Sequence, residues 1–237
     1  MAAPRERRPR GRAQGSARHR RPFRGTALAA VGVFVSLVLA ACSGVPGLYV
    51  VEKSGATAAG APAVFNATTY ANSTWGSKIV PAVDKGAVDA KVLLPALAAD
   101  QAGASKKYGH QAGEGAPFSF LIRGEGTVVG VNNPTGVGSV EVRVPGVTKT
   151  VVGIAVGPVL VGTALRDAVG FIDFSQFTNQ IDYADAATAI NAKVKTEVLK
   201  GLDPATLKGK KVSFAGAFQL LDVQSILVTP TKLTVTP

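Results

Sequence analysis

From Phe118 onward apolar and polar residues alternate with a period of two, the spacing of strands that bury one face. Ser119 to Arg123, Gly126 to Val131, Ser139 to Val144 and Thr148 to Val156 each read as strands. Gly124-Glu-Gly126, Asn132 to Gly136 and Pro145-Gly146 punctuate them as turns. Val140, Val142 and Val144 share one face, with Glu141 and Arg143 on the other. The period lengthens to helical spacing in two places. Across about 87–107, Val88, Val92, Leu93 and Leu97 form an apolar stripe that Pro95 is expected to break or kink. Across about 183–200, Ala186, Ile190, Val194 and Val198 recur every fourth residue. Asp182 is the expected N-cap there, and Gly201 the stop. Strands return at Lys211 to Phe218 and Ile226 to Val235, with Pro230 expected at an edge or a bulge. A run of short strands with one helix before the last pair predicts a mainly β (α+β) fold. An OB-fold-like small barrel with helical insertion is the nearest template, and an open α+β sandwich is the alternative.

Residues 157–183 lie where strand gives way to helix, and they mix aromatic anchors with polar groups more densely than any other stretch. Arg166 and Asp167 are adjacent, so on a regular element they diverge and should not pair directly. They could receive a carboxylate or sugar hydroxyls, or each could tie a loop to the barrel. Asn179 and Gln180 carry amides suited to hydroxyls, or to satisfying a helix start. Phe171, Phe174 and Phe177 offer a stacking wall or core anchors, and Phe174 and Phe177 at i, i+3 read as core.

Charge alters the picture only at the N-terminus. The net charge of +11 invites a nucleic-acid reading, yet nine arginines lie within residues 1–24 against one acid, Glu6. With those set aside, 17 of 26 basic and 14 of 15 acidic residues remain, a net of +3. No basic stripe is left for a nucleic acid to follow. The arginine-rich segment leads into sixteen uncharged residues, Thr26 to Ala41, too few for a spanning helix but suited to an export signal. Leu39-Ala-Ala-Cys42 then places the only cysteine at the end of a lipobox-like tetrad. Residues 1–41 therefore read as a lipoprotein signal peptide and Cys42 as a diacylated anchor. Residues 42–74 read as tether, and 75–237 as the barrel domain beginning near Trp75. The expected location is the extracytoplasmic face of the cell membrane.

With the Cys42 thiol consumed by the lipid anchor, thiol catalysis, disulfides and cysteine-bound zinc drop out. Among the histidines, only His110 lies beyond Cys42, so no metal site or cofactor is expected. No Gly-x-Ser-x-Gly, P-loop or His-Glu-x-x-His is present. Asp173, Asp182 and Asp185 raise a paired-carboxylate hydrolase, which needs two carboxyls roughly 5–10 Å apart across a cleft; capping accounts for the last two more simply.

From Trp75 onward the chain resembles a family of predicted periplasmic lipoproteins, domain of unknown function 2291. The resemblance is carried by Lys78-Ile-Val-Pro81, Ala87-Val-Asp-Ala90, Lys107-Tyr-Gly109 and Gly124-Glu-Gly126. Its densest part is Gly157-Pro158, Gly162 to Ala168, Gly170 to Phe174, Phe177 to Ile181 and Gly209 to Phe218. The resemblance implies an OB-type barrel with a helical insertion and genes that often neighbour sugar ABC transporters; it brings no activity. The expectation is a non-enzymatic lipoprotein, anchored through Cys42 and accessory to carbohydrate uptake, with ABC transporter components as partners. Direct binding of a sugar or sugar acid is the alternative, and an envelope hydrolase the third reading.

Overall fold

The computed structural model describes residues 64–132 and 136–236. The signal segment, Cys42 and most of the expected tether lie outside the described residues. Order begins sooner than Trp75. Asn66 accepts from the Thr69 amide at 2.8 Å and starts α1, Ala67–Thr74. A π-helical turn, Trp75–Ile79, carries the chain on into α2, Val80–Gly86. Ala71, Trp75, Ile79 and Val83 are buried at four-residue intervals along it. The tether reading of 67–74 is thus corrected: its Asn and Thr are capping and helix residues, and Ala71 extends the stripe of Trp75. Pro81, with no N–H, follows directly on the π turn, where the ladder has already shifted and Val80 bonds back to the Trp75 carbonyl.

The segment expected to be helical over 87–107 is divided differently. Val88–Asp89 (β1) runs parallel to a later strand, and α3, Ala90–Ala99, follows with Asp89 as its cap. The break falls at Asp100, which caps α4, Gln101–Tyr108, by accepting from Gly103 at 2.9 Å. Pro95 sits inside α3 without ending it. Pro95 and Lys91, whose carbonyl loses its donor there, are both exposed, so the missing bond falls on the solvent face of the helix. Leu93, Leu94 and Leu97 point inward, whereas Val92 is 52% exposed.

Next come β2 (Gly109–Gln111), β3 (Phe118–Asn132), β4 (Ser139–Arg143) and β5 (Val151–Ala155). After the helical insertion follow β6 (Lys211–Gln219) and β7 (Ser225–Thr236). The two strands expected on either side of Gly124-Glu-Gly126 are one strand of 15 residues. Those glycines make room rather than a turn. A Cβ on Gly124 would stand 2.9 Å from the Phe214 ring, and one on Gly126 only 2.3 Å from the Arg143 carbonyl oxygen. Through its bend β3 pairs with β6 along its first part and β4 along its last. Hydrogen bonds therefore close a ring in the order β3-β4-β5-β7-β6-β3, antiparallel except for β5 with β7. Pro230 faces Gly216 beside a register shift, the bulge its missing donor requires.

Two cores result. Inside the ring, Phe120, Ile122, Val140, Val142, Phe214 and Phe218 pack with Leu93, Leu94 and Leu97 of α3. Phe120 and Phe218 stack at 5.1 Å and 12°. Outside, Leu121, Ala215 and Ala217 on β3 and β6 are covered by the α1–α2 helix and the insertion between β5 and β6. That insertion holds α5, Ala164–Ala168, and α6, Gln180–Lys193, which a π turn at Val194–Val198 extends. Gly201, at φ 75°, ends it as expected.

Candidate functional site

The insertion folds around α5. Glycines at positive φ, Gly162 at 89° and Gly170 at 72°, bracket this five-residue helix and let the chain reverse on both sides. Arg166 and Asp167 are 8% and 5% exposed, among the few buried charged side chains. Contrary to the expectation that neighbours diverge, they pair. The arginine curls back so that Nε and Nη2 each approach Asp167 Oδ1 at 2.7 Å. A long flexible stem permits this, and burial of both groups on so short a helix rewards it. Arg166 Nη1 donates to the Tyr183 carbonyl at 3.0 Å, while the guanidinium lies 3.5 Å from the centre of the Tyr183 ring. Asp167 Oδ2 accepts from Thr163 Oγ1 at 2.5 Å. The Asp167 carbonyl, at the open end of α5, lies 2.6 Å from His110 Nδ1 on β2. All three guanidinium nitrogens and one face of Arg166, and both oxygens of Asp167, thus engage protein partners. Here the pair ties α5 to α6 and, through the backbone, to β2.

Asn179 and Gln180 are exposed at the start of α6. Asn179, not Asp182, is the N-cap: its Oδ1 accepts from the Asp182 amide at 2.9 Å, and its Nδ2 donates to Asp182 Oδ2 at 3.1 Å. Asp182 is the reciprocal partner three residues in, the logic of a capping box. Asn179→Ala is expected to lower stability by about 1 kcal/mol, read as a lower urea midpoint, with Asn179→Ser, which keeps a capping oxygen without setting a carboxylate against Asp182, closer to wild type.

Of the three phenylalanines, only Phe177 is core. It lies edge-on to Phe65 at 5.2 Å and Tyr70 at 5.5 Å, and 5.2 Å from Tyr183. Phe171 is half-buried. Phe174, also expected inside, is 46% exposed and leans its edge on Tyr183. Burial is the main cause that holds the Tyr70 and Tyr183 hydroxyls above the ordinary 10.0. For Tyr183 the Arg166 charge opposes this and Asp167 reinforces it. The folded state therefore keeps these protons more tightly than the unfolded chain. Their stabilising contribution is present below pH 10.0 and is lost as pH rises past it towards their folded values. The urea midpoint is expected to fall as pH passes 10.0, and to fall less in Tyr183→Phe; equal slopes would contradict this burial.

A site not legible in the sequence opens on the outer face of β3 and β6, beside α2. A cleft of about 310 Å³ is lined by Asp84, Asp89, Arg123, Ser213, Ala215 and Lys232, among others. Alternation sends Arg123 outward on its strand, but only the pairing of β3, β6 and β7 brings it beside Lys232. Among the described residues no three His, Cys, Asp or Glu side chains group to hold a metal, and no helix is long and apolar enough to cross a membrane.

The closed ring with its parallel β5–β7 pair and helical insertion before β6 is that of an OB-fold protein. It is similar to the crystal structure of an OB-fold protein from Thermotoga maritima determined at 1.90 Å resolution. The TM-score is 0.59 at 26% identity, over 73% of this chain and 99% of the other. The chain belongs to the family described as predicted periplasmic lipoprotein (DUF2291), which matches residues 35–234, a span that includes Cys42. No curated protein matches the chain.

Proposed function

We propose that this periplasmic-family lipoprotein is held to the cell membrane by a diacylglyceryl group on Cys42 and acts without catalysis, by contact with components of a carbohydrate ABC importer. The observation that carries the contact reading is the filled ring. Phe120 and Phe218, both 0% exposed, occupy the space a ligand would need inside it. The charged pair of the insertion is likewise spent on internal partners. What remains to engage a partner there is surface: Gln180 and Ile181, the latter 70% exposed, on the first turn of α6, and Phe174. The importer is named on the resemblance of the chain to lipoproteins encoded beside such systems. Two acyl chains, each contributing about 0.8 kcal/mol per buried methylene, make a stable anchor.

The test is sugar uptake in cells that lack the protein. Uptake of at least one carbohydrate is expected to fall, and to be restored by wild type but not by Cys42→Ala. Unchanged uptake across a panel of sugars would refute the proposal. Mass spectrometry of the purified protein is expected to show a lipidated cysteine at its N-terminus.

A further inference from the structure

We propose that the cleft between α2, β1 and the outer faces of β3, β6 and β7 is a binding site for a small monoanionic polyol, a sugar acid of hexuronate type. This inference stands independently of the importer reading. Strand register builds the site. Arg123, Ala215 and Lys232 form one row across β3, β6 and β7. The two cations are thus set two strand spacings apart, roughly 9–10 Å, with only a methyl group between them. Neither forms an ion pair among the described residues, although carboxylates line the same cleft. A carboxylate seated between the two side chains would reach both, the arginine fork giving it orientation.

The next row, Glu125, Ser213 and Thr234, brings to the cleft the Ser213 hydroxyl and the Glu125 carboxylate, the latter paired with Lys91 at 3.5 Å. Ser213 is half-buried and its hydroxyl has no protein partner among the described residues. Asp84, exposed at the end of α2, and Asp89 face the cleft from the helical side. Carboxylates accept from ligand hydroxyls and repel a second negative charge. With Glu125 held by Lys91, the unpaired cations Arg123 and Lys232 facing Asp84 and Asp89 therefore favour a ligand with one negative group and several hydroxyls, over both a neutral sugar and a phosphate dianion. A cleft of about 310 Å³ has room for one such ring.

The test is isothermal titration of the full-length protein in detergent with glucuronate, glucose and inorganic phosphate. Saturable glucuronate binding is expected, at least tenfold tighter than glucose or phosphate. Arg123→Ala and Lys232→Ala should each weaken it tenfold or more. Both side chains are exposed, so these variants should keep the wild-type melting curve, and Lys210→Ala, outside the row, should bind as wild type. Absence of saturable glucuronate binding, binding indifferent to Arg123→Ala, or phosphate binding as tightly as glucuronate would each overturn the proposal.

Discussion

Asp167→Asn is expected to destabilise the domain by about 3–5 kcal/mol, among the largest effects of any single substitution in the insertion. Asparagine keeps the shape and some hydrogen bonding but leaves the Arg166 guanidinium, 8% exposed, without a counter-charge. The arginine is pinned by the Tyr183 carbonyl and ring, so it cannot reach water without dismantling the contact between α5 and α6. Removing both charges is a different experiment. In Arg166→Met/Asp167→Leu no buried charge is left unpaired, and apolar replacement of a buried pair is often neutral or stabilising. The double variant should therefore recover most of the loss, a coupling that a double-mutant cycle in urea unfolding reads directly. A single-variant cost below about 1 kcal/mol would mean that the pair behaves as a solvent-screened surface bridge.

Phe218→Ala is expected to cost a similar amount, about 3–5 kcal/mol, by a different mechanism. The ring of Phe218 stacks on Phe120 inside the closed strands, and both are fully buried. The cavity left behind is walled by paired strands that cannot collapse freely, so the transfer loss adds to a cavity loss. Phe218→Leu, which keeps most of the volume, should recover much of the difference. Equal effects for alanine and leucine would contradict a tightly filled interior.

How much of this could be seen in advance depended on the range of each interaction. The alternation of Val140, Val142 and Val144 is local, and their inward placement followed from it. So did the long helix before Gly201 and the bulge at Pro230. Gly124 and Gly126 were misleading because a glycine forced by a neighbour's approach looks, in sequence, like one that makes a turn. The neighbours are Phe214 and the Arg143 carbonyl, both distant along the chain. Asn179 and Asp182 differ as caps only by which backbone amide each reaches, a distinction of one helical turn. Helix geometry alone makes Arg166 and Asp167 diverge, but it ignores how far a buried arginine folds back for a partner. The cleft at Arg123 and Lys232 needs the register of three strands to exist at all, and no local pattern encodes it.

The central claim, that an anchored, filled OB-type domain works by touching an importer, is tested most directly by purifying the full-length protein from gently solubilised membranes. The predicted result is co-purification of a carbohydrate importer's membrane subunit, lost in both Cys42→Ala and the surface variant Phe174→Asp/Ile181→Asp. Recovery of the protein alone, with every importer subunit left in the unbound fraction, would contradict it.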